Sequence, residues 1–174
     1  MITQAEFDAH YIIIYPSVTT MRQIYLRYIK SQIEDNNEVV FTLPYYERCE
    51  NLRNSLSSNN DIFLDLQKFE NERSLFYRCC KKFFYIGHTS LIKNLVKQAE
   101  NLGKKGVSIV VDAAAFYHYD KLEELIKHEL SMQSKFDIKL KRFCIFHKQD
   151  FERFKKEDKQ KLLEHHGKNL IVVN

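Results

Sequence analysis

The hydrophobic pattern changes period repeatedly along the chain. The run "YIIIY" at 11–15 is short, continuous and rich in β-branched residues, as in a strand buried on both faces. From Met21 the spacing turns helical, with Met21, Ile24, Tyr25, Tyr28, Ile29 and Ile33 on one face, until "DNNE" at 35–38 interrupts it. "EVVFTL" at 38–43 reads as a second strand closed by Pro44. Tyr45, Cys49, Leu52 and Leu56 then mark one face of a second helix. "SSNN" at 57–60 reads as a loop and "DIFLDL" at 61–66 as a third strand. Residues 67–87 carry no single period, and "LFYRCCKKFFYI" suits a helix or a strand.

The second half is more regular. Leu91, Leu95, Val96, Ala99 and Leu102 form a helical stripe, with Gly103 placed to cap its C-terminus. "VSIVVD" is a buried strand, 107–111, that ends in Asp112. Asp120 and Glu123 have the spacing of a capping box, followed by Leu122, Leu125, Ile126 and Leu130 on one helical face. A strand is expected at 140–147, one helix or two short ones over 149–166, Gly167 at their end, and a last strand at 169–173. Strands alternating with helices predict an α/β fold, a three-layer, mostly parallel sheet with helices on both faces. No internal repeat or linker interrupts residues 1–174, which suits one domain.

Composition agrees with a packed globular chain: 44% hydrophobic and 29% charged residues, with only four glycines and two prolines. The formal net charge is +4, and lysines and arginines alternate with acids along most of the chain. The densest basic stretch, "KLKRF" at 139–143, is short. A solvated surface is therefore the better reading, with a nucleic-acid module as an alternative that would use that stretch. No apolar run reaches the roughly 18 residues of a membrane span, and "MITQAEFDAH" lacks a signal pattern, so a cytoplasmic protein is expected. Cys49, Cys79, Cys80 and Cys144 follow no CxxC spacing and are expected to be reduced.

The first strand, turn and helix have the frame of a phosphate-binding loop. Such a loop needs glycine amides to wrap phosphates, a lysine to neutralise them and a Ser/Thr hydroxyl for magnesium. "YPSVTTMRQ" supplies only Thr19 or Thr20; Pro16 removes an amide donor and the nearest cation is Arg22. An ordinary corner with Ser17 as N-cap is the better reading, and ATP hydrolysis is not expected there. A degenerate nucleotide-binding protein using Thr19 or Thr20 with Asp112 is a further alternative.

Four blocks carry a likeness: "HYIIIYPS", "NNEVVFTLPYYERCENLRNSL", "GVSIVVDAAAFYHYDKLEELIKHE" and "KRFCIFHKQDFERF…EDKQKLLEHHGKNLIVV". In this order they resemble the methanogen/methylotroph sensory (MEDS) domains, which are related to RecA/KaiC-like P-loop ATPases but lack the phosphate-binding loop. His10 stands before the first strand, "VVDAAAF" in the middle, and Cys144, His147 and His165–His166 near the end, as in that family. The resemblance implies a sensory or signal-input domain. Its output partner would be a separate protein, a kinase or a transcription regulator, with a homodimer as a further assembly.

No HExxH, CxxC or GxSxG motif occurs; His165 and His166 are adjacent, and His118 and His128 are ten apart. No metal site, cofactor or catalytic residue is expected on those spacings. The aromatic residues offer more. In a parallel sheet Tyr15, Tyr45 and Tyr117 would collect at one rim as walls, with Ser17 and Thr19 as hydrogen bonders and Asp112 and His147 as polar anchors. A small organic signal is the ligand such a rim suits, with Ser17, Thr19 and the amides of the first helix as expected donors to Asp112.

Overall fold

The computed structural model describes residues 5–44, 49–57, 64–78, 88–114, 122–131 and 137–173. Six strands form one sheet: β1 (Ala9–Tyr15), β2 (Val39–Leu43), β3 (Leu75–Tyr77), β4 (Val107–Asp112), β5 (Leu140–His147) and β6 (Leu170–Val172). Their order is β3-β2-β4-β5-β1-β6, and every pairing is parallel. Parallel neighbours need crossovers, and the described helices supply them: α1 (Val18–Lys30), α2 (Cys49–Ser57), α3 (Leu66–Asn71), α4 (His88–Asn101), α5 (Leu122–Ser131), α6 (Lys148–Glu152) and α7 (Lys156–His166). The expected three-layer α/β architecture is present.

The pleat divides the core in two. Ile13, Tyr15, Val40, Val110, Phe143 and Ile145 face α1, α2 and α3, where Met21, Tyr25, Ile29, Leu52 and Phe69 pack. On the opposite face Ile12, Ile14, Cys144 and Phe146 pack under α5, α6 and α7. Val39, Phe41, Val107 and Ile109 pack there under Leu95, Val96 and Ala99 of α4. Both faces of β2 and β4 are covered, which is why their sequences run apolar without alternation.

Most boundaries follow from the sequence, and local chemistry explains them. Ser17 caps α1 by accepting the Thr20 amide at 3.2 Å. A wide π turn, Ser31–Asp35, prolongs that helix. Gly103, at φ 68°, ends α4 in a Schellman motif: its own amide donates to Glu100 O and that of Lys104 to Ala99 O, each at 2.9 Å. Region 149–166 resolves into two helices, α6 and α7.

Three expectations need correction. Of the third strand expected at 61–66, residues 61–63 lie outside the described ones. Asp65 N-caps α3 through the Lys68 amide at 3.0 Å, and β3 is Leu75–Tyr77. Leu66 and Phe69, three apart, bury the face of a helix rather than a strand. Leu102, placed on the α4 stripe, is instead 45% exposed, because the chain leaves the helix at the cap. Finally, the basic stretch at 139–143 is no surface footprint: Lys141 and Arg142 are buried, 3% and 2% exposed. The Asp120 cap lies outside the described residues.

Candidate functional site

Three strands deliver polar side chains to one end of the sheet. Tyr15, Asp112 and His147 are the last residues of β1, β4 and β5, and by the pleat all three face the α1 side. The Tyr15 hydroxyl lies 3.4 Å from Asp112 Oδ2, and the Tyr15 and His147 rings meet edge to face at 5.4 Å. Tyr15 and Asp112 are fully buried, whereas His147 is half-buried. Asp112 Oδ1 accepts the Ala114 amide at 2.9 Å, which turns the chain after β4. His147 Nδ1 accepts the Gln149 amide at 3.3 Å and caps α6.

The rim therefore joins Tyr15, Asp112 and His147, as the sequence suggests, but with different donors. The Tyr15 hydroxyl and the Ala114 amide serve Asp112 where Ser17, Thr19 and the α1 amides were expected. Ser17 Oγ accepts from the Thr20 amide and lies 3.0 Å from Thr20 Oγ1. Thr19 is exposed on α1. Tyr45 and Tyr117, expected as walls, lie outside the described residues.

A second polar cluster lies on the other face of the sheet. His10 enters from β1, Cys144 and Arg142 from β5, Glu129 from α5 and His166 from the end of α7, and all five are buried. Glu129 Oε2 lies 3.3 Å from His10 Nε2 and 3.8 Å from His166 Nε2. Cys144 Sγ donates to Glu129 Oε1 at 3.1 Å and lies 3.2 Å from His10 Nε2. Arg142 Nη2 approaches Glu129 Oε1 at 3.8 Å and donates to His128 Nε2 at 3.1 Å. Burial pushes the His10 imidazole down, against the pull of Glu129. Burial, helped by His10, takes His166 down to about 4. Burial would raise the Glu129 carboxyl, but His10 and Arg142 outweigh it and hold that carboxyl well below the usual range. Burial and the Glu129 charge push the Cys144 thiol up.

Sequence spacing missed this cluster because its members come from four elements. One signal was available: Glu129 occupies the apolar stripe of α5, three residues after Ile126 and four after Leu125. A carboxylate at a core position must find partners there.

No family model matches the chain, and no curated protein matches its sequence. Its fold has solved counterparts. A KaiC-like protein from the hyperthermophilic archaeon Pyrococcus horikoshii OT3 superposes with a TM-score of 0.57 at 12% identity, over 81% of this chain. The match spans 62% of that protein's length. The chain thus has a KaiC-like, RecA-type α/β fold.

Proposed function

We propose that this chain is a cytoplasmic RecA-like module of the MEDS type that binds a small polar organic ligand, or a signalling partner through it, and does not turn over ATP. The observation that carries this reading is the convergence of Tyr15, Asp112 and His147 at the carboxyl ends of β1, β4 and β5. Ligands of open α/β sheets collect at this end. Beside it stands a strand–helix corner without the residues of a phosphate loop. "PSVTTM" offers neither glycine nor lysine, and the Ser17 hydroxyl is engaged with Thr20. The output partner is a separate kinase or transcription regulator. A nucleic-acid role has less support, since Lys141 and Arg142 are buried in β5.

The test is a thermal-shift screen of small polar organic compounds, with ATP and magnesium among them, on the wild-type chain. The reading expects an organic compound whose stabilisation disappears in Asp112→Asn and His147→Ala but survives in Thr19→Ala. Magnesium-dependent ATP hydrolysis, or hits indifferent to Asp112 and His147, would overturn it.

A further inference from the structure

We infer that His10, Glu129, Cys144 and His166 form a buried binding site for one divalent transition-metal ion, of which Zn2+ is the best match. The inference is independent of the rim, because the cluster lies on the opposite face of the sheet.

Three donors stand around a common centre, and Cys144 borders it through His10 and Glu129. One ligand atom each from His10, Glu129 and His166 lies within 4.8 Å of the other two. A tetrahedral ion held at about 2.0–2.3 Å spaces its ligands by roughly 3.3–3.7 Å. Glu129 Oε2 stands 3.3 Å from His10 Nε2 and 3.8 Å from His166 Nε2. Cys144 Sγ stands 3.2 Å from His10 Nε2 and 3.1 Å from Glu129 Oε1. Two imidazoles, one carboxylate and one thiol are a borderline-soft donor set that favours Zn2+ over Mg2+ or Ca2+.

His166 supplies the independent sign. Its Nδ1–H donates to the Leu162 carbonyl at 2.8 Å. That bond fixes the neutral ring as the Nδ1–H tautomer and leaves the Nε2 lone pair aimed at Glu129 Oε2. Among the described residues, both Nε2 and that carboxylate oxygen are buried without a hydrogen-bond partner. A cation placed between these two buried acceptors, 3.8 Å apart, would satisfy both. The carbonyl behind the ring is the orienting contact expected of a metal-bound histidine.

Glu129 and Arg142 are opposite and close, so the cluster without an ion is near neutral. On binding, the Cys144 thiol proton leaves to solvent and the thiolate takes its place on the metal. The two anionic ligands neutralise the ion itself, and Arg142 leaves the loaded cluster at a net +1.

The full chain, purified without metal-affinity steps, is analysed for bound metal and titrated with Zn2+ and Co2+. One ion per chain is expected to survive gel filtration. The cobalt form should show tetrahedral d–d bands and a thiolate-to-cobalt charge-transfer band, and Cys144→Ser should remove the latter. Glu129→Gln and His166→Asn should weaken Zn2+ binding by at least about 100-fold. Absence of bound metal together with no zinc-dependent rise in Tm of the wild-type chain would overturn the assignment. So would equal affinity in His166→Asn, which would mark surface histidines as the binders. If the variants fail to fold, X-ray absorption at the zinc edge of the wild-type protein decides: one sulfur with three N/O ligands supports the site, and a shell without sulfur refutes it.

Discussion

Tyr15 and Asp112, 97 residues apart, meet over β5 with the hydroxyl 3.4 Å from the carboxylate. That contact is possible only because β1 and β4 flank β5 in parallel register, so their last side chains reach over one strand on one face. Asp112 also accepts the Ala114 amide, so it is both a turn cap and a rim acid. Tyr15→Phe should cost about 0.5–1.5 kcal/mol, the net worth of one hydrogen bond. Asp112→Ala should cost about 0.5–2 kcal/mol, as for a lost cap. Urea denaturation measures both. A ligand found by the thermal-shift screen should be lost in each variant while the fold persists.

The first corner makes a sharper statement about catalysis. No residue between Tyr15 and Arg22 is glycine or lysine. The first turn of α1 also spends the Ser17 hydroxyl on the Thr20 amide. Phosphate release from Mg-ATP is therefore expected to equal the buffer background. A turnover that Asp112→Asn abolishes would show that the loop works by other means.

How much of this was legible in sequence depends on range. Strand positions 107–112 could be read because a fully covered parallel strand is mostly apolar, and 140–147 because positions 143–146 run apolar. Ser17 and Gly103 declared their caps because capping is local chemistry. The rim acid and tyrosine were legible once the sheet was taken as parallel. "DIFLDL" misled because a short apolar run does not distinguish a strand from the start of a helix. The cluster around Glu129 was invisible to spacing rules, since His10 and Cys144 are 134 residues apart and meet only through sheet register.

The same cluster sets a pH dependence for the metal-free protein. His166 falls from 6.5 to about 4 on folding, chiefly through burial, and His10 shifts the same way. Below pH 6.5 the unfolded chain therefore binds more protons than the folded one, so stability drops as pH falls. The histidine part is fully present above pH 6.5 and lost by about pH 4; for His166 it amounts to at most about 3 kcal/mol. Glu129, held below its usual 4.5, adds a loss at still lower pH. Denaturation of the chelated protein at pH 7.5 and 4.5, values chosen to bracket this window, should show the fall. His166→Asn should flatten it.

At the opposite end of the strands, on the α1 face, Lys141 and Glu38 form a buried ion pair. Lys141 Nζ donates to Glu38 Oε1 at 2.6 Å and to Gln32 Oε1 at 2.9 Å. Ser108 Oγ donates to Glu38 Oε2 at 2.6 Å, and the Tyr28 hydroxyl donates to Ser108 at 2.9 Å. Every oxygen of the carboxylate is thus used, in a site where Lys141 and Glu38 are 3% and 1% exposed. Desolvating both charges consumes most of what their attraction returns, so the pair itself is worth little against an apolar replacement. Leaving one member alone is another matter, because the survivor keeps its desolvation cost without a counter-charge. Lys141→Met or Glu38→Leu alone should each cost about 3–5 kcal/mol. The double variant should cost clearly less than the sum, since it removes both charges together. Four urea curves close this cycle. Additive losses would mean that water reaches the site and screens the pair, and that the strand ends here are looser than the packing of Tyr28 and Phe143 implies.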